Sequence, residues 1–293
     1  MNVQELENSP ETMRIDENNL DEHIFELYAA HLPPLNSDLG MYSRSDKCVE
    51  LSLELDGSKP KSNILLDLEI HQAIGMLKSS MASTTGAVLW KVSRLFAEWI
   101  LIPGTFFYSV FRTPGLTVLE LGAGVSGLLA CALTIPLLKN GRGLYVATDQ
   151  AHIVPLLRRN ICHNLPEVAR CISASQSSIA TGQVRTEVAV LDWESDSDFQ
   201  SMISDLEIRP EFDIIVACDT IYNDFLIDPF VLTLSSISSA NTIVVIAMQL
   251  RSNQVLESFL SALLQAQFKI YSILQAALDI RMRNGFVVYC LAR

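Results

Sequence analysis

Gly122, Gly124 and Gly127 fall inside an otherwise apolar stretch, Thr-Val-Leu-Glu-Leu-Gly-Ala-Gly-Val-Ser-Gly, running from Thr117 to Gly127. Val118, Leu119 and Leu121 make a short apolar run, and a helical pattern, Leu128 to Leu133, starts directly after the last glycine. The order is strand, glycine turn, helix. Gly122 and Gly124, on either side of Ala123, remove the side chains where a ligand must touch the backbone, and free amides at the helix start face the same space. A nucleotide-like ligand fits such a turn. Dinucleotide enzymes use a related one, and a tight packing turn is the plain alternative.

The rest of the chain is consistent with an α/β protein built around that turn. At 293 residues, 49% of them apolar, it can bury one large α/β core plus an elaboration, or two small domains. The first thirty positions are acidic and polar, and no run approaches the ~20 apolar residues of a membrane span. The six cysteines, Cys48, Cys131, Cys162, Cys171, Cys218 and Cys290, form no C-x-x-C pair and read as thiols of a reducing compartment, so a cytoplasmic location is expected. A formal charge of −12 disfavours nonspecific binding to nucleic acid or anionic membrane and favours a basic partner. A monomer is expected.

Three regions are predicted: an acidic segment over 1–45, a β-hairpin extension over 46–80, and the glycine-turn domain over 81–293. In the first, Leu20 to Leu32 offers a helix with Ile24, Phe25, Leu27 and Tyr28 as its apolar stripe, stopped by Pro33-Pro34. In the second, Val49, Leu51, Leu53 and Leu55 alternate with polar residues, and Ile64, Leu66, Leu68 and Ile70 do so again after a turn at 56–60. A helix over Gly86 to Ile100 and an aromatic plug, Phe106, Phe107, Tyr108 and Phe111, lead to the glycine turn. Further strands are predicted at Leu144–Asp149, Thr186–Trp193, Phe212–Cys218 and Ile243–Met248, with helices between them and a polar surface loop over Leu165–Gln183. Two final strands, Phe268–Leu274 and Gly285–Leu291, complete a doubly wound, mostly parallel sheet with an antiparallel C-terminal edge strand.

Ligands of open parallel sheets bind beyond the carboxyl ends of the strands. Glu120, Asp149, Asp192-Trp193 and Asp219 all fall at such ends. Asp149 is placed either to accept hydrogen bonds from ribose hydroxyls or to cap the next helix. Asp192-Trp193 can bracket a purine, with a core tryptophan as the alternative. Glu120 either faces a cationic amine or holds the amides of the turn. The five histidines, His23, His31, His71, His152 and His163, lack metal-ligand spacing with cysteine or acid neighbours, so no metal is expected. Ser126 is not in a nucleophile elbow, and the Gly-Lys-Ser/Thr of a P-loop is absent.

Four pieces, Val-Leu-Glu-Leu-Gly-Ala-Gly (118–124), Ala-Thr-Asp (147–149), Leu-Asp-Trp (191–193) and Phe-Asp-Ile-Ile-Val-Ala-Cys-Asp-Thr-Ile-Tyr-Asn (212–223), resemble the seven-strand protein-lysine methyltransferases of the family-16 group. The likeness extends from about Gly86 to the C-terminus. It implies S-adenosylmethionine as cofactor, a seven-stranded Rossmann-like methyltransferase sheet, and a lysine on a protein as substrate. Gly86 with Leu89-Trp90 is similar to the group's pre-motif helix, which implies Trp90 as a wall of the cofactor pocket. Glu120, Gly122, Ala123, Gly124, Asp149 and Trp193 are implied as cofactor contacts, Cys218 as a residue beside adenine, and Asp219 and Tyr222 as the catalytic acid-x-x-aromatic pair. A fungal branch of the group that acts on ribosomal lysines carries a similar Cys-Asp-Thr-Ile-Tyr-Asn followed by Leu-Ile-Asp-Pro-Phe, here Leu226 to Phe230. That implies a large-subunit ribosomal protein as partner. A catalytically silent binding or assembly module remains the alternative, and an NAD-linked dehydrogenase is disfavoured because no Tyr-x-x-x-Lys is present.

Overall fold

A computed structural model describes residues 3–31, 40–55, 64–78, 85–139, 142–174 and 183–293. The expected turn at 56–60, the Pro33-Pro34 stop and part of the polar stretch, 175–182, lie outside the described residues. The strands are β1 (Thr12–Ile15), β2 (Cys48–Leu55), β3 (Ile64–His71), β4 (Thr117–Leu121), β5 (Arg142–Asp149), β6 (Gln183–Val190), β7 (Ile214–Cys218), β8 (Ile243–Gln249), β9 (Lys269–Ile273) and β10 (Phe286–Ala292). Eight of them form one mixed sheet in the order β1-β9-β10-β8-β7-β4-β5-β6, and β2 and β3 form a separate hairpin. Contacts divide the chain into two units, 40–191 and 1–39 with 192–293.

In the unit 40–191, β4, β5 and β6 pair in parallel. Helix α4 (Leu128–Lys139) follows the glycine turn and is apolar on every side, as befits an element covered all round. Helix α3 (Lys91–Ile100) buries Val92, Phe96, Trp99 and Ile100. Trp99 stands edge-on to Phe107 at 5.7 Å, and Phe107 and Phe111 are fully buried, so the aromatic stretch packs as a plug.

Helix α5 (Val154–Ala174) corrects the sequence reading. Its second half was expected as a polar loop from Leu165, yet the helix continues through Pro166 to Ala174. The polar residues are the reason. Along the outer side of β3, Asn160 accepts from His71 N at 3.0 Å and donates to His71 O at 2.8 Å, and Asn164 does the same for Glu69, at 3.0 Å each way. Glu167 then accepts from Asp67 N at 3.3 Å, and Arg170 donates to Leu65 O at 3.0 Å. Four residues of helix rise ~6 Å and two residues of strand ~6.6 Å, so side chains about a turn apart meet every second strand residue. This face contacts backbone, so it carries no apolar stripe for a periodicity reading to find.

In the other unit, β7 pairs in parallel with β8, while β10 runs antiparallel between β8 and β9. The antiparallel C-terminal strand is present as expected, but it lies inside the sheet. The edge is β1, antiparallel to β9 with Ile15 opposite Ile270. With four residues, β1 alternates over only two apolar side chains, too short a run to read as a strand. Helices α6 (Asp198–Leu206), α7 (Ile227–Ile237) and α8 (Asn253–Gln265) follow β6, β7 and β8. Near the N-terminus, α1 (Val3–Asn8) precedes β1, and α2 (Leu20–Ala30) follows it. Helix α2 buries Leu20, His23, Ile24 and Leu27, but leaves Phe25, expected as part of its apolar stripe, 72% exposed. His23 Nε2 lies 2.9 Å from the Tyr289 hydroxyl, and burial lowers the imidazole to about 4.

Candidate active site

The glycine turn is held from three sides. Ala123 N donates to Thr148 O at 2.9 Å, Gly124 N donates to Asp149 Oδ2 at 2.8 Å, and Val125 N donates to Gly86 O at 2.7 Å. The other Asp149 oxygen accepts from Gln150 N at 2.8 Å, so this carboxylate fixes both the turn and the residue that follows β5. Gly124 has φ +61°, and a Cβ there would stand 3.1 Å from Gly86 O. The turn and the 85–90 segment thus approach backbone to backbone, so closely that a side chain at 124 would crowd the Gly86 carbonyl. Trp90, half-buried at the start of α3, donates its indole N–H to Thr85 O at 2.9 Å, so it is fixed to that same segment.

Glu120 is 3% exposed and accepts from the Tyr145 hydroxyl at 2.8 Å. Burial pushes its carboxyl up to about 8; the hydrogen bond from Tyr145 pulls against this, and the Asp149 charge adds to it. From 4.5 in the unfolded chain to about 8 in the fold, the native state holds the extra proton. Its stabilisation is full below 4.5 and is lost as pH rises through 8. Glu120→Gln keeps an acceptor for Tyr145 and removes the titration. We expect its stability relative to wild type to rise by about 2 kcal/mol between pH 6 and pH 8. Urea unfolding at both pH values measures this, and a constant difference would mean that Glu120 is ionised throughout.

Trp193, Cys218, Asp219 and Tyr222 belong to the other unit. Strand β6 ends at Val190, so Trp193 lies in the connection after it, half-buried, edge-on to Phe230 at 4.9 Å. Cys218 is the buried last residue of β7. Asp219 takes a left-handed φ of +58° and makes a bidentate pair with Arg251, at 2.6 Å from Nη1 and 2.5 Å from Nη2. Its Oδ1 also accepts from Gln249 N at 3.2 Å. Two atoms just beyond it, Thr220 Oγ1 and Asn223 Oδ1, are buried with no hydrogen-bond partner among the described residues. Buried polar atoms are almost always satisfied, so this pair marks a place for a ligand or water.

Two site features escape a linear reading. Arg251 neutralises Asp219 from 32 positions away. Tyr28, expected only as part of an apolar stripe, lines a small cavity of about 10 Å³ with Tyr222, Met248 and Arg251; burial raises its phenol to about 12. Neither partner has a sequence signal that points to the other.

Five β-α repeats, a glycine turn fixed by the acid of the next strand, and an acid-x-x-aromatic turn after β7 define the class. Residues 71–266 match the lysine methyltransferase family, and the chain belongs to it. It is 33% identical to ribosomal lysine N-methyltransferase 5 of Zygosaccharomyces rouxii, over 88% of this chain and 93% of that protein. The proteins of the same name from Kluyveromyces lactis and Lachancea thermotolerans are 32% and 31% identical, each alignment spanning 90% of this chain and 94% of the relative.

Proposed function

We propose that this enzyme transfers a methyl group from S-adenosylmethionine to the side-chain amine of a lysine in a ribosomal protein, and that it works in the cytoplasm as a monomer. The observation that carries the reading is the family membership, together with relatives named as ribosomal lysine methyltransferases that align over nearly their whole length. The residues present fit the cofactor. Gly122, Ala123 and Gly124 offer backbone without bulk, Asp149 offers a carboxylate for ribose hydroxyls, and Trp90 and Trp193 offer ring faces. Cys218 is small enough to lie against adenine, and the unpartnered Thr220 Oγ1 offers a polar contact.

When bound, the cofactor supplies a methyl group already activated by a sulfonium. The protein then has to align the amine and present it neutral, since a free lysine titrates at ~10.4. Tyr222 orients the amine with its phenol. Asp219, held by Arg251, sets the shape of the 218–223 turn, so we assign it a positioning role and not that of a free base. Glu120, the acid that precedes the glycine turn, is assigned to the cationic amine of the cofactor and not to the substrate lysine. The net charge of −12 attracts a basic substrate. Among the described residues no helix is long and apolar enough to cross a membrane.

The test is transfer of radiolabelled methyl to ribosomes from a strain lacking the modification, with the acceptor lysine located by mass spectrometry. Label on one lysine of one ribosomal protein is expected. No label, under conditions where the Zygosaccharomyces rouxii relative labels the same ribosomes, would refute the substrate assignment.

A further inference from the structure

The hairpin brings together a donor set that the order of the sequence hides. Cys48 on β2 lies directly across from His71 on β3. Glu69, two residues before His71, projects from the same face of the strand. Cys48 Sγ is 3.4 Å from Glu69 Oε1, and His71 Nε2 is 3.4 Å from the same oxygen. Sγ, a carboxylate oxygen and an imidazole nitrogen of these three residues all lie within 4.8 Å of one another. From α5, His163 places Nε2 at 3.4 Å from Glu69 Oε2, with its ring 5.8 Å from that of His71. The expectation that the histidines lack cysteine and acid neighbours therefore fails for His71 and His163, because strand register supplies them.

We infer that Cys48, Glu69, His71 and His163 form a binding site for a divalent transition metal of the zinc class. The spacings are those such an ion needs. With Zn–N and Zn–O near 2.0–2.1 Å, a tetrahedral centre separates N from O by about 3.3 Å, and Zn–S near 2.3 Å separates S from O by about 3.5 Å. One thiolate, two imidazoles and one carboxylate suit zinc, and suit magnesium or calcium poorly.

The ligands are also held in place. Asn160 and Asn164, both buried, clamp the backbone of His71 and Glu69 from the helix that carries His163. The side chains of His71, Glu69 and His163 are 27%, 43% and 48% exposed, which leaves the ion a way in. Burial and the Glu69 carboxylate push the Cys48 thiol above its ordinary value, so binding releases the Sγ proton to solvent as the metal–sulfur bond forms. An isolated two-stranded hairpin is marginal in water, and this ion ties both strands to α5. Asn160 also donates to Val125 O in the glycine turn at 2.7 Å, so the tie reaches the turn.

The test does not depend on methyl transfer. The full chain, freed of metal with a chelator, is titrated with Co²⁺ and followed by thiolate-to-cobalt absorption. One equivalent should saturate the signal, and excess Zn²⁺ should remove it. Cys48→Ser should abolish the absorption, and His71→Gln should weaken binding at least tenfold. Cys162→Ser, which removes the exposed thiol next to His163, should leave it intact. Zn²⁺ should also raise the melting temperature of wild type and leave that of Cys48→Ser unchanged. Circular dichroism checks that the variants fold, and Glu69→Gln replaces Cys48→Ser if the serine variant does not. No saturable absorption in wild type, or absorption that survives both Cys48→Ser and Glu69→Gln, would overturn the assignment.

Discussion

Asp219→Ala should lower methyl transfer about 100-fold and the melting temperature by roughly 6–12 °C, while Asp219→Asn should lose less than half as much in melting temperature. The Asp219 side chain is 2% exposed, and Arg251 lies beside it at 25%. Removing the carboxylate leaves a guanidinium and the Gln249 amide short of acceptors, and breaking a buried pair this way costs about 3 kcal/mol. In a domain of this size each kcal/mol shifts melting by ~2–4 °C. Asparagine tolerates a left-handed φ such as the observed +58°, and keeps one acceptor; alanine does neither. The fall in transfer comes from movement of the turn that bears Tyr222, since an error of ~1 Å in alignment costs about that much. Calorimetry with cofactor, melting curves and single-turnover transfer separate the effects. Transfer by Asp219→Ala within threefold of wild type would remove Asp219 from any positioning role.

Gly127→Ala should destabilise the fold by about 3 kcal/mol, and Gly124→Ala should instead weaken cofactor binding at least tenfold with a smaller loss of stability. The two glycines share a left-handed backbone, φ +59° and +61°, but not their surroundings. A Cβ on Gly127 would overlap Ile161 Cγ1 and stand 3.2 Å from Leu157 Cδ1, so these packed side chains of α5 must move. A Cβ on Gly124 meets only the Gly86 backbone, with its carbonyl oxygen 3.1 Å away, in the turn proposed to hold the cofactor. Urea unfolding and calorimetric titration of both variants read the contrast. Equal losses of stability would mean that the two glycines serve packing alone.

What a single chain reveals here follows from how far each interaction reaches along it. The turn at Gly122–Gly127, the alternation of β2 and β3 and the helical spacing of α8 are local, and all were legible from their own residues. Asp149 was legible as the acid that ends β5, but its bond to Gly124 N was not, because the strand and the turn lie 25 positions apart. The second half of α5 looked like a loop because Asn160, Asn164, Glu167 and Arg170 spend their polarity on the backbone of another strand. Strand β1 is too short to show a period. Asp219 with Arg251, Tyr28 with Tyr222, and Cys48 with His71 are products of the fold.

The helix side chains along β3 have one more consequence. Leu65, Asp67, Glu69 and His71 direct their backbone groups away from β2, and α5 already engages a group of each. Among the described residues, an incoming peptide therefore finds this edge of β3 already engaged by side chains and not open for zipping up as a third strand. Any polypeptide that this border selects must be chosen by its charges and shape, with its main chain left unread.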